Sequence, residues 1–315
     1  MVLDGAQGFL PDSEGAKGRS EGEVLGVRVT RAPQGGKGPR LTARLTQEET
    51  ARIGTGSPAL IAQGPGAVEE LAAAWPEAEI VVDDAAVLAS LRPRLTDRLR
   101  LVQAAFDQET EAEVEALEQQ DAILPSGARM SISPTPALVA IDVDLGSRAG
   151  ERGGKTAQHV AVNRAVLPEL ARQIRLRNLS GAILVDLAGL SVKRRGALGP
   201  ALQDALAGDP VRPRFLGFTR LGLAEIVRPR IHPPLRERLD GPHAAGLTAL
   251  RQIARELSAD PRQMPALRAS PSVVEALQRD PVALPELARR AGQALVLRSD
   301  PTLAGTNWIV ERRHG

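Results

Sequence analysis

Two aspartates stand out for what they could do together. Asp142 closes the apolar run "ALVAID", Asp186 closes "SGAILVD", and 43 residues separate them. An ionised carboxylate taken out of water is costly unless it is paired, hydrogen-bonded or bound to a metal. If the two runs are neighbouring strands, both carboxylates face one point in space. They then repel, and one takes up a proton unless a cation sits between them. An all-oxygen pair suits Mg²⁺, or Mn²⁺ in its place, because these hard ions keep several waters. Beside a basic surface this is equipment for metal-assisted phosphodiester hydrolysis. The plainer reading is that each aspartate caps the loop or helix that follows it.

The charge distribution favours the first reading. Residues 145 to 235 hold 15 Lys and Arg against 6 Asp and Glu, a net of +9 in a chain of only +2 overall. Such asymmetry suggests a polyanion partner, with solvated helix arginines as the alternative. The glycine-rich, basic stretch "GERGGK" (150 to 155) could cradle phosphate but lacks the flanking spacing of a nucleotide site; Arg148 and Lys155 are candidate RNA contacts. Near the start of the chain, Phe9 in "GFLP" with Lys37 and Arg40 in "GGKGPRLT" fits a surface that stacks a base and touches phosphates. Phe9 as the core of a small barrel is the competing assignment. The four histidines, His159, His232, His243 and His314, lack zinc-ligand spacing, and no nucleophile elbow or nucleotide P-loop occurs.

Composition sets the outer bounds. With 315 residues, 43% of them hydrophobic and 25% charged, the chain can bury a sizeable core. It contains no cysteine, which excludes disulfides and thiolate-bound zinc and suits a reducing cytosol. The first residues do not pattern as a signal peptide, and no apolar run approaches the length of a membrane span. A cytoplasmic protein without membrane contact is expected.

The elements that must position these residues follow from periodicity. Residues 1 to 45 read as short strands with glycine turns, too few to close a barrel. Residues 66 to 100 read as α/β units, with Asp83 or Asp84 capping "AAVLASLRPRL" and an acidic helix over 107 to 120. A hairpin precedes Asp142. An amphipathic helix spans 156 to 177, with Pro168 as a kink or break. "SGAILVDLAGL" is a buried strand, a helix covers about 193 to 207, "RFLGFT" is a strand and "LGLAEIVRP" a short helix. Beyond "PHAAG" the texture changes to short, proline-punctuated helices, with a strand at "QALVLRSD".

Three blocks, "LPSGARMSISPTPALVAIDVD", "ARQIRLRNLSGAILVDLAGL" and "FTRLGLAEIVRPRIHPPL", resemble the ribonuclease E/G family of bacterial endoribonucleases, in order and spacing, over about residues 66 to 236. The resemblance implies an α+β, mixed α/β architecture. Its parts would be a partial OB-fold β-barrel for RNA binding (1–45), an RNase H-like segment (46–125), a DNase I-like catalytic domain (126–236) and a small C-terminal α/β domain (237–315). It implies that Asp142 and Asp186 hold a catalytic Mg²⁺, and that water activated there attacks single-stranded RNA to leave 5′-phosphate and 3′-hydroxyl ends. It also implies that Asp144 stands where the family has a supporting asparagine, and that Phe9, Lys37 and Asn163 help to place RNA. Departures accompany the matches. The aspartate at 144 adds a negative charge. The cysteines of the family's zinc link are absent, so zinc is not expected and a homodimer would have to form without it. The segment "TQEETARIGTGSPALIAQGPG" is too short to hold the family's 5′-monophosphate sensor. The expected function is a Mg²⁺-dependent endoribonuclease of RNA processing or decay. The alternatives are an RNA-binding protein of the same fold with weak or lost catalysis, and a nuclease acting on DNA.

Overall fold

A computed structural model describes residues 2–3, 6–124, 127–144, 155–187, 189–259 and 265–311, without the side chains of 2, 3, 6, 96, 155–158, 258 and 259. The chain divides into two compact units, residues 1–175 with 180–232, and residues 176–179 with 233–315. Sheets and helices are mixed, and no sheet closes into a barrel among the described residues.

The first unit opens with two small antiparallel ladders, β1 (Val2–Leu3) with β2 (Ala6–Gln7), and β3 (Arg28–Arg31) with β4 (Arg40–Thr42). Gly35 and Gly36 form the tight turn between Gln34 and Lys37, which exchange backbone hydrogen bonds of 3.1 and 3.2 Å. Both glycines take positive φ, 60° and 68°, as a two-residue hairpin turn requires. Phe9 adds a parallel rung to β4, donating its amide to the Pro39 carbonyl and accepting from Leu41. A capped turn of helix, α1 (Gln47–Ala51), follows.

Next come α2 (Ala67–Ala74), β5 (Ile80–Val82), α3 (Ala85–Leu95), β6 (Leu99–Leu101) and α4 (Gln108–Ala116), with β5 and β6 parallel. Asp84 caps α3 by accepting from the Val87 amide at 2.8 Å, and Asp107 caps α4 by accepting from Thr110.

The body of the unit is a six-stranded sheet in the order β11-β12-β10-β9-β8-β7. Its strands are β7 (Asp121–Ile123), β8 (Arg129–Pro134), β9 (Leu138–Asp144), β10 (Gly181–Leu187), β11 (Arg214–Phe218) and β12 (Ala224–Arg228). Between β9 and β10 runs α5 (Lys155–Leu176), and α6 (Val192–Arg195) and α7 (Gly199–Leu206) follow β10. Strands β9 and β10 are parallel, so they need a crossover, which α5 supplies. Pro168 lies inside α5 and does not break it.

Strand β9 alternates strictly, with Val139, Ile141 and Val143 buried and Ala140, Asp142 and Asp144 exposed. On β10, Ile183, Val185 and Leu187 are buried, as are Met130 and Ile132 on β8 and Ala224 and Ile226 on β12. Buried stripes on α5 (Val166, Leu167, Leu170, Ile174) and α7 (Leu202, Leu206) supply the matching apolar surface. The opposite face of the sheet is left open, and it carries the polar residues. "LGLAEIVRP", expected as a short helix, instead contains β12, paired on both sides with β10 and β11.

At the end of the sheet, Arg228 and Asp209 form a buried ion pair, with Nε 2.7 Å from Oδ2 and both side chains 4% exposed. The pair ties β12 to the turn between α7 and β11, where Asp209 also accepts from the Val211 amide.

The second unit holds α8 (Leu235–Leu239), α9 (Pro242–Ala259), β13 (Ala266–Ala269), α10 (Pro271–Arg279), α11 (Ala283–Ala291), β14 (Val296–Ser299) and β15 (Trp308–Glu311). Its three-stranded sheet has β13 in the middle, and its core is built on Ile253, Leu267, Val273 and Leu277. No described helix is long and apolar enough to cross a membrane.

Candidate active site

The ladder between β9 and β10 sets Asp142 directly opposite Asp186. Partners across a ladder share a face, so the two carboxylates project side by side from the open side of the sheet, near the C-terminal ends of parallel strands. That is where open α/β sheets bind their ligands. Ser131 is the partner of Asp142 on β8, and Arg129 is the partner of Asp144. Asp121 accepts from the Ser131 hydroxyl at 2.6 Å and is ion-paired with Arg129. The Ser131 hydrogen bond first, and the Arg129 guanidinium second, hold the Asp121 carboxyl below its usual range. Arg129 is raised by Asp121 and, to a smaller extent, by the charge of Asp144.

Asp186 has a partner that sequence reading did not identify. Arg195 donates Nη1 to Asp186 Oδ1 at 2.6 Å, Nη1 again to the Gly222 carbonyl at 2.8 Å, and Nε to the Leu190 carbonyl at 3.0 Å. Its side chain is 12% exposed against 47% for Asp186, so the guanidinium is the fixed member of the pair. The run "VKRR" contains three adjacent cations, and nothing local marks which of them turns inward.

The loop after β10 is fastened to α5. His159 Nδ1 lies 2.7 Å from the Gly189 carbonyl; a carbonyl only accepts, so Nδ1 carries the proton. Gly189 has φ of +70°, and a Cβ there would stand 2.5 Å from that nitrogen. Both facts require glycine. Asn163 is fully buried and donates Nδ2 to the His159 carbonyl at 2.8 Å. In this conformation it braces the helix and does not present its amide to solvent.

Phe9 is 59% exposed and lies under the Arg40 guanidinium, 5.8 Å from ring centroid to Cζ, within cation–π range. Phe9 is thus not a core residue in this structure, whereas Leu41 on β4 is fully buried. Lys37 is exposed in the turn that leads into β4. Arg148 lies outside the described residues. Lys155 begins α5, and its side chain is likewise outside the description.

The donor set on the open face is oxygen alone. Among the described residues no three His, Cys, Asp or Glu side chains converge to hold a metal ion. A pair of carboxylates with water completing the shell suits a hard cation such as Mg²⁺.

Fold and face together define an α+β protein with paired acidic side chains at the ends of two parallel strands. Comparison with known proteins gives the family. The model of the ribonuclease E/G family matches residues 58–231, more than half of the chain, and the chain belongs to that family. It is 32% identical to Ribonuclease E of Escherichia coli (strain K12) over 173 residues, covering 50% of this chain and 16% of the relative. With Ribonuclease E of Haemophilus influenzae it shares 31% over 153 residues, 47% of this chain and 16% of the relative. With Ribonuclease G of Salmonella typhimurium (strain SL1344) it shares 28% over 229 residues, 66% of this chain and 46% of the relative. The chain thus spans less than half the length of each of these relatives.

Proposed function

We propose that this chain is a Mg²⁺-dependent endoribonuclease that cleaves single-stranded RNA in the cytoplasm, leaving 5′-phosphate and 3′-hydroxyl ends, in RNA processing or decay. The observation that carries the proposal is the in-register placement of Asp142 and Asp186 on an open sheet face, in a chain whose family includes ribonucleases E and G. A structural role for two adjacent exposed carboxylates gains nothing from their mutual repulsion, whereas a cation between them removes it.

Asp142 and Asp186 would hold the ion, which when bound supplies an activated water and neutralises charge on the phosphate. The chain's own residues do the rest. Arg195 fixes the direction of the Asp186 carboxylate. Ser131 and Arg129 occupy Asp121, so that this carboxylate, two strands from Asp142, is committed elsewhere. Phe9 offers a ring face to a base, while Arg40 and Lys37 offer charge to the backbone of a single strand, the combination that binds unpaired RNA.

Cleavage of an end-labelled single-stranded RNA tests the proposal, with Mg²⁺, with a chelator, and with Asp142→Ala and Asp186→Ala beside the wild type. Cleavage that needs the metal and both aspartates is the expected result. RNA bound but left intact in both Mg²⁺ and Mn²⁺ would refute the enzyme and leave an RNA-binding protein.

A further inference from the structure

We infer that Arg195 is a positioning residue that divides the two oxygens of Asp186, and so selects a small octahedral cation over one that chelates a carboxylate through both oxygens. The inference rests on Asp186 being a metal ligand, as proposed above.

Three segments converge on this one guanidinium: the end of β10 through Asp186, the loop behind it through the Leu190 carbonyl, and the β11–β12 turn through the Gly222 carbonyl. The turn is itself closed, with the Gly222 amide donating to the Thr219 carbonyl at 2.9 Å. The guanidinium is thus held by backbone groups whether or not the carboxylate is in place. Asp186 accepts through Oδ1, and no described residue donates to Oδ2. One oxygen is committed to a charge-assisted bond and the other is open.

The commitment bears unequally on different ions. Mg²⁺ demands near-ideal octahedral geometry, keeps several of its waters and binds through one or two carboxylates. Ca²⁺ takes six to eight oxygens and readily accepts a carboxylate through both. Two-oxygen chelation by Asp186 would make the ion compete with Arg195 for Oδ1 and weaken the bond to a nearly buried cation, whose other acceptors are two carbonyls. Removing the arginine therefore lifts a penalty that falls mainly on Ca²⁺. Its charge, by contrast, opposes every cation alike.

Calorimetric titration of the full chain with Mg²⁺ and with Ca²⁺ separates these effects, using wild type, Arg195→Gln, Arg195→Lys and Asp186→Asn. In Arg195→Gln, Ca²⁺ affinity should rise roughly tenfold more than Mg²⁺ affinity, about 1.4 kcal/mol, with Arg195→Lys between that variant and wild type. A gain by one common factor would show that Arg195 acts only as a charge, and a common loss that it only supports the fold. Either result overturns the inference. If wild type binds no Mg²⁺, the metal-site reading fails and takes the inference with it. If Asp186→Asn abolishes Mg²⁺ binding while Arg195→Gln leaves the Ca²⁺/Mg²⁺ ratio unchanged, the inference alone fails. Should Arg195→Gln not fold, the carboxylate stretching bands of Ca²⁺-loaded wild type decide. One-oxygen coordination supports the inference and two-oxygen chelation overturns it.

Discussion

Replacing Asp142 by asparagine should make the metal-free protein more stable while it ends cleavage. Asp142 and Asp186 are direct partners on adjacent parallel strands, and strands in a sheet lie about 4.8 Å apart. Two unit charges about 5 Å apart repel by about 0.8 kcal/mol in water and by about 3 kcal/mol at an effective dielectric of 20. The face is open to solvent and Arg195 already offsets part of the Asp186 charge, so the lower end applies, about 1 kcal/mol. In a unit of this size that raises the melting temperature by about 2–4 °C. Mg²⁺ acts in the opposite sense. At ten times its dissociation constant it stabilises a binding-competent protein by about 1.4 kcal/mol, and it should do nothing for the variant.

The two melting curves should therefore exchange order: the variant melts higher in chelator and the wild type melts higher in Mg²⁺. Differential scanning calorimetry with and without the ion reads this directly. A third arm in about 1 M salt, where the screening length falls to about 3 Å, should erase most of the variant's advantage. A variant less stable than wild type in chelator would show that Asp142 is a structural cap. An equal Mg²⁺ shift in both proteins would place the ion elsewhere. Either outcome refutes the reasoning.

Other outcomes follow from the same structure. Phe9→Ala should weaken single-stranded RNA binding by about 1–3 kcal/mol, roughly five- to 150-fold, with no change in melting because the ring is exposed; fluorescence anisotropy measures the first and calorimetry the second. Arg228→Met should cost about 3–5 kcal/mol in urea unfolding by stranding the buried Asp209 carboxylate, and adding Asp209→Leu should recover more than half of it. Asp280 is held down at about 2, first by the hydrogen bond from His243 and then by the Ala283 and Val282 amides, against an ordinary 3.8. Its contribution to stability is therefore full above about pH 4 and is lost as pH falls toward 2, so melting temperatures of wild type and Asp280→Asn should converge over that interval. Cleavage rates on 5′-triphosphate and 5′-monophosphate forms of one RNA should agree within about tenfold, or about 1.4 kcal/mol, if residues 46–66 are too short for a monophosphate sensor, as the family resemblance implies.

The paired aspartates were legible because each follows an apolar run that reads as a strand, and the cap of α3, at Asp83 or Asp84, was legible because capping is local. What escaped the sequence depended on pairing. Leu223, just before strand β12, and Ile226 and Val227 within it stand at spacings that also fit a helix, and only the position of β12 between β10 and β11 settles it as strand. Strands β13 and β15, four residues each, are too short to show a period. Arg195 was hidden for a different reason. Two of its three acceptors are backbone carbonyls, which any residue supplies, and they come from positions 190 and 222.

The open face resolves an apparent conflict between the basic segment and the acidic site. Residues 145 to 235 carry a net +9, yet the charged side chains on this face are Asp121, Asp142, Asp144, Asp186 and Glu225 against Arg129, Arg195 and Arg214. The net positive charge of the segment is therefore not gathered on this face. An RNA phosphate attracted by the segment's net charge would meet repulsion at the two central aspartates, and a divalent cation held there would reverse the sign. Asp144 would deepen that repulsion, but its partner across the ladder is Arg129. The arginine already bonded to Asp121 thus also balances the additional charge. On the proposed function, attraction at long range and repulsion at the centre would make metal and RNA binding mutually dependent at this face, each ligand supplying the charge that the other needs.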